Sequence, residues 1–364
     1  MELSGVLSSY YNYRILDKNM ATNHISNNIN NPLDYKKNSF ELGTARINIQ
    51  GLYGRKYEYR AQFDIAQLGY TNNTGEFPAI LDAYGVYKPA QNTRITFGYQ
   101  KLPYSANSMA SYQTQPYWQR AEVTRGYIFS RRDVGITIKQ SFLGERINLY
   151  GGIYSGMGEY ILTSVTNGDN DPGGKPEVVA RIDFSTIKHN YNDIYDTRYC
   201  NTPLINVGFN GRYSEKSVSL AGIADYDLKI ISGYKTIYGA DAAFMYKGFS
   251  AQFEIHQMMV TPTGADTVRL QGKATTFFRA GGLFGQLNYF NRKLKSGVYA
   301  RYDNFIPNDL IQNNMEQTLS FGYNYFMKGF RSMLRIQYFY RLDKNNPALL
   351  RTSDQIRAGW QITF

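Results

Sequence analysis

From Ser353 to Phe364 the chain alternates apolar and polar residues almost without exception. Ile356, Ala358, Trp360, Ile362 and Phe364 fall on one face, and Gln355, Arg357, Gly359, Gln361 and Thr363 on the other. A period of two belongs to a β-strand, whose successive side chains point to opposite sides of the sheet. A strand apolar on one side, polar on the other and ending on Phe fits the closing strand of an outer-membrane barrel. Strands of soluble sandwiches alternate too, so the remainder of the chain must decide.

Composition decides for the membrane. The chain has no run of about 18 consecutive apolar residues, which excludes transmembrane helices. Yet 15% of its residues are aromatic, with 33 Tyr and 21 Phe. A transmembrane barrel accommodates both facts, because only alternate residues meet lipid, aromatic girdles mark the interfaces and the interior stays polar. The single cysteine, Cys200, excludes an internal disulfide and a cysteine-based metal site. A length of 364 residues would allow two soluble domains. No Pro- or Ser-rich linker interrupts the strand-and-turn texture, however, so one barrel domain over 1–364 is expected. Glu2-Leu3-Ser4-Gly5 already reads as a strand start, which implies a mature chain whose export signal has been removed.

Candidate strands cover 2–13, 40–52, 57–68, 80–87, 94–101, 133–142, 146–156, 177–184, 204–213, 236–246, 250–258, 278–290, 298–304, 318–326, 331–340 and the closing segment. The expected fold is therefore all-β, a transmembrane antiparallel barrel of about 16 strands, or about 18 if 217–227 and 270–276 also pair. Tight turns at Gly54, Gly144, Gly248 and Gly329 alternate with long connections through most of the chain. The facing pattern is consistent. Leu319, Phe321, Tyr323 and Tyr325 share one face, while Glu58, Arg60, Gln62 and Asp64, or Arg331, Arg335, Gln337 and Arg341, share another. Arg facing lipid near the midplane costs about 2–4 kcal/mol, so the charged faces belong in a watery lumen.

A barrel of this size has room for an aqueous channel. The candidate lumen cations are Arg46, Arg60, Arg94, Lys139, Arg146, Arg181, Arg212, Arg301, Arg335 and Arg357. Candidate lumen acids are fewer: Glu58, Asp64, Asp133, Asp183, Glu254 and Asp303. With a formal charge of +11, such an interior raises the local anion concentration and disfavours cations. The long connection 102–131, after the fifth strand, is expected to fold inward as a constriction loop, as in general porins. It carries Tyr104, Tyr112, Tyr117 and Trp118 to pack on the wall, and adds Arg120 and Arg125, with Lys101 at its border, to the anion pathway. An extracellular lid or a subunit contact is the alternative role for it.

A family resemblance rests on several ordered pieces. Thr96-Phe97-Gly98-Tyr99-Gln100-Lys101-Leu102-Pro103-Tyr104-Ser105 resembles the strand leading into the constriction loop of the phosphate-selective porin O and P family. Arg132-Asp133-Val134-Gly135-Ile136 is similar to that family's next strand, and 149–156 and 175–181 to the pieces that follow. Tyr238-Gly239-Ala240-Asp241 and Ala300-Arg301-Tyr302-Asp303-Asn304-Phe305 match in character. The abundance of Tyr and Asn is similar to that of porins from Bacteroidetes-type bacteria. The resemblance implies a 16-stranded porin of the bacterial outer membrane, commonly trimeric, that admits small anions. The family's phosphate selectivity is attributed to a dense basic ladder and a cationic constriction. Here 102–131 carries only Arg120, Arg125 and Arg131, partly balanced by Glu122.

The expected function is thus a water-filled, anion-preferring diffusion channel for small solutes, with phosphate one candidate. Outer-membrane lipid and lipopolysaccharide, small anions and a homotrimer or larger complex are the expected partners. Catalysis finds little support. His24, His189 and His256 are scattered, with no metal-ligand spacing, although His256 shares a face with Gln252 and Glu254. Asp169-Asn170-Asp171 suits Asx turns as well as Ca²⁺. No phosphate-cradling loop, cofactor motif or nucleic-acid patch is present. The rival reading is a non-conducting barrel serving a secretion, assembly or uptake complex.

Overall fold

The computed structural model describes residues 1–15, 38–66, 80–125, 130–156, 158, 175–216, 233–263, 277–309, 315–342 and 354–364. Sixteen strands run through them: β1 (Glu2–Ile15), β2 (Asn38–Tyr53), β3 (Tyr57–Asp64), β4 (Ile80–Ala90), β5 (Thr93–Lys101), β6 (Arg132–Phe142), β7 (Ile147–Tyr154), β8 (Glu177–Ser185), β9 (Leu204–Lys216), β10 (Gly233–Tyr246), β11 (Phe249–Pro262), β12 (Phe278–Asn291), β13 (Ser296–Ile306), β14 (Glu316–Phe330), β15 (Ser332–Arg341) and β16 (Asp354–Thr363). Each pairs antiparallel with its sequence neighbours, and β1 pairs with β16 to close the barrel. Closure leaves no strand edge, so the sheet satisfies its own backbone groups, as a lipid surround requires.

The seam shows how the terminal alternation is used. Val6 sits opposite Thr363 and Tyr10 opposite Gly359, and Gly5 and Phe364 exchange backbone hydrogen bonds of 2.8 and 3.0 Å. A Cβ at Gly5 would lie 2.4 Å from the Phe364 ring, so only glycine admits the aromatic end of the closing strand. Outward faces are apolar and exposed: Phe97 is 53% exposed, Ile153 60% and Ile336 53%. Inward faces are polar and buried, with Ser320 and Asn324 at 0%. A water-soluble barrel shows the reverse arrangement.

The expected strands all form, with changes at their ends. β3 stops at Asp64, before the 68 expected, and Ile65 and Ala66 turn helically. The β6–β7 ladder closes at the Phe142–Ile147 pair, leaving Leu143, Gly144 and Glu145 with left-handed φ of 50°, 66° and 66°. Arg146 therefore belongs to that turn rather than to the wall. Arg331 likewise lies in the β14–β15 turn, because β15 begins at Ser332. At β10–β11 the turn is Lys247–Gly248, with φ of 48° and 88°, the twist that matches a two-residue hairpin. The segments 217–227 and 270–276, the Asp169–Asp171 motif and His24 lie outside the described residues.

Candidate functional site

Residues 102–125 lie inside the barrel. The short helix α1 (Ala106–Met109) is capped by Ser105, whose Oγ accepts from Ser108 N. The same hydroxyl donates to Glu254 at 2.6 Å, and Asn107 N donates to the other Glu254 oxygen at 2.6 Å. His256 Nε2 lies 2.9 Å from that carboxylate. On the far side, Trp118 N donates to Gln337 at 2.8 Å, Gln361 Nε2 to Gln113 O at 2.8 Å and Arg301 to Gln119 O at 2.9 Å. The segment is thus fastened to β11, β13, β15 and β16. Its apolar part, Leu102, Tyr104, Ala121 and Val123, joins Tyr154, Ile237, Met258 and Phe284 in one buried cluster.

The lumen cations divide into two groups by their place in the barrel. Arg181 holds Asp241 through both guanidinium nitrogens at 2.5 and 2.7 Å, and Asp183 at 2.7 Å. Arg212 is paired with Glu177, Arg301 with Asp303 at 2.8 Å and Arg125 with Glu122 at 2.6 Å. Arg335 donates to Gln361 and lies over the Trp118 ring at 4.7 Å. These side chains are framework, and Arg125→Ala is expected to leave the reversal potential of a conducting channel within error of wild type.

The second group lines a cavity of about 260 Å³ left between the inward segment and the β2–β6 wall. Arg46, Arg60, Arg94, Lys101, Arg120, Arg131 and Arg132 surround it, against one lining carboxylate, Asp82. Asp64 lies behind, 2.9 Å from Arg46, and Glu58 is 2.9 Å from Arg94, which leaves the cations in excess. A further cavity of about 500 Å³ adjoins it, sharing Arg60, Tyr84 and Arg94 and continuing toward Met1 and Gln50, and there Glu2 and Glu58 offset the two arginines. Fixed positive charge in a low-dielectric wall concentrates anions along such a path.

Of the residues singled out in the sequence, Arg46, Arg60, Arg94, Lys101 and Arg120 converge here. Lys139 lies apart, 3.8 Å from Glu145 and over the Tyr150 ring. Arg357 is held between the Tyr10 and Phe339 rings. Arg146 is exposed in its turn. Arg132 and Asp82 were not foreseen. Strict alternation from Ile136 places Arg132 outside, yet its Nε donates to Asp82 at 2.9 Å. The facing changes beside Gly98, which pairs with Gly135 and takes a φ of 119° that suits glycine alone. Past it Tyr99, Gln100 and Lys101 all turn inward, and Lys101 Nζ donates to Met109 O and Ala110 O at 3.0 and 2.8 Å. Two glycines facing each other near strand ends were the available signal.

Solved structures share this architecture. The anion-selective porin from Comamonas acidovorans superposes with a TM-score of 0.61 at 9% identity, covering 100% of this chain and 99% of that one. Salmonella typhi OmpF, solved with daunomycin, gives 0.62 at 11% identity, covering 100% and 97%. The trimer form of in-vitro folded OmpT from Vibrio cholerae gives 0.58 at 8%, covering 100% and 98%. At these identities the likeness is one of fold. No curated protein matches the chain. The family model for phosphate-selective porin O and P matches residues 21–193, the part that contains β2–β8 and the inward segment, and there the resemblance read from the sequence holds.

Proposed function

We propose that the chain is a porin of the bacterial outer membrane, a water-filled channel that prefers small anions and constricts them between residues 102–125 and the β2–β6 wall. The observation that carries this reading is the cavity with seven cationic side chains and one carboxylate. Lys101 and Arg120, at the face of the inward segment, donate to backbone carbonyls rather than to a carboxylate. Inorganic phosphate fits the chemistry of the cavity, as does chloride, and charge alone ranks neither first. The chain then works by diffusion and not by catalysis, embedded among lipid and lipopolysaccharide, and OmpT in its trimer form suggests a homotrimer.

The test is the reversal potential of the purified, folded chain in a planar bilayer under a KCl gradient. Stepwise conductance with a reversal potential on the chloride side is expected, and added phosphate should reduce the chloride current in proportion to its occupancy. One observation favours the non-conducting reading: the lumen along β10–β15 is filled, with Gln286, Asn324, Arg335 and Gln337 all buried. Bilayers that stay silent, with the barrel shown to be folded by heat-modifiable migration, would select that reading instead.

A further inference from the structure

The connections at the short-turn end of the barrel obey a pattern with one exception. β2–β3, β4–β5, β6–β7, β10–β11, β12–β13 and β14–β15 are joined by turns of one to four residues, but β8 and β9 by 186–203. This connection does not hang outside. Ile194, Tyr195 and Asp196 are as buried as any core residue. Tyr195 stands edge-on to Phe326 at 5.6 Å and meets Phe290 at 6.4 Å, in a cluster completed by Met333. Its hydroxyl accepts from Asn324 Nδ2 at 2.9 Å. Gly297 of β13 has no side chain where a Cβ would come 2.7 Å from the Tyr195 ring, so the wall is recessed to receive it. Ser250 Oγ donates to Ile194 O at 2.7 Å, and Asp196 accepts from Gly248 N at 2.8 Å.

Four residues earlier the connection is anchored across the barrel. The Tyr191 hydroxyl donates to Asp183 of β8, and its ring lies 5.4 Å from the Arg181 guanidinium. Between these anchors, Asn192 Oδ1 accepts from Ser111 N of the inward segment at 2.6 Å and lines the basic cavity. Residues 191–195 therefore cross from β8 to β12–β15, walls about six strands apart in the closed order.

We propose that 186–203 is a plug inserted from the short-turn end, which closes the β10–β15 side of the lumen and confines solutes to the β2–β6 wall. It complements the inward segment, which comes from the long-loop end, and the two meet at Asn192 and Ser111. Selectivity then depends on a connection that carries little net charge, because excluding the neutral route leaves the cationic one. This inference rests on the channel reading above.

The experiment replaces 187–202 with Asn-Gly and compares the variant with the full chain in KCl-gradient bilayers. Single-channel conductance is expected to rise about twofold or more and the anion-to-cation permeability ratio to fall toward unity, since the added path lacks the charge that discriminates. A folded variant with unchanged conductance and selectivity beside an anion-selective full chain overturns the plug and leaves the channel reading standing. A silent full chain overturns the channel reading, and thiol chemistry still decides the plug. In a Cys200→Ser background, Asn324→Cys should resist a charged methanethiosulfonate, and adding Tyr195→Ala should speed its reaction about tenfold or more. Equal rates with and without Tyr195 overturn the proposal, including where the deletion fails to fold.

Discussion

Arg60→Glu combined with Arg94→Glu is expected to reverse the sign of selectivity, turning a chloride-side reversal potential into a potassium-side one while conductance persists. These two side chains line both adjoining cavities, so every ion on the β2–β6 path passes them. Their side chains are 32% and 39% exposed, more than those of Arg46 and Arg132, with Arg60 no nearer than 3.7 Å to Asp82 and Arg94 2.9 Å from Glu58. The double substitution changes the local charge by about four units, and one unit at 4 Å is worth about 1 kcal/mol even in bulk water. A shift above about 1.4 kcal/mol, tenfold in the permeability ratio, follows even after salt screening removes a good part of it. The paired control is Arg125→Glu, which sits beside Glu122 rather than on the path. If Arg60→Glu/Arg94→Glu and Arg125→Glu move the reversal potential equally, the charge of the whole barrel sets selectivity and the conduit has no special part in it.

The barrel was legible because lipid enforces one rule on every strand. Tyr57 and Tyr59 must be apolar outside while Gln62 and Asp64 can be polar inside, and the alternation survives through most of the sixteen strands. Where the rule fails, as at Gly98, the failure is a backbone event that residue type records only as a glycine. The cations were harder to rank. Arg181 and Arg60 look alike in sequence, both inward on a strand, and only cross-strand neighbours separate them. Asp241 reaches Arg181 from two strands away, whereas Arg60 finds one distant carboxylate. No period encodes that pairing, because it depends on how far the barrel curves between β8 and β10. The β8–β9 connection was illegible for a related reason. Its Asn- and Asp-rich composition reads as a solvated loop, yet Asp196 and Asn192 spend their polar groups on Gly248 N and Ser111 N within the lumen. A polar lumen can bury a polar segment as readily as water can solvate it, so composition does not tell the two apart.

The same contrast makes Arg181 the residue whose loss should hurt folding most. Its side chain is 0% exposed, and it is the only described cation within ion-pair distance of either Asp183 or Asp241, themselves 1–2% exposed. Gly208 opens the space it occupies, since a Cβ there would lie 2.3 Å from the guanidinium. Arg181→Met would leave two buried carboxylates facing each other with the charge between them removed. Breaking a buried pair from one side costs about 3–5 kcal/mol, and here one removal breaks two pairs. The midpoint of urea unfolding for the refolded barrel should fall accordingly, and the heat-modifiable band should be lost at a lower temperature. Arg181 also donates to Tyr104 O at 2.5 Å, so the variant should release the start of the inward segment and make single-channel current noisier. Adding Asp183→Asn and Asp241→Asn removes the stranded charge and should recover most of the stability, because swapping a whole buried ionic group for neutral residues is often close to neutral. The noise should remain, since the Arg181 hydrogen bond to Tyr104 O is not restored. A triple variant as unstable as Arg181→Met would mean that Arg181 acts by filling space above Gly208 rather than by holding charge.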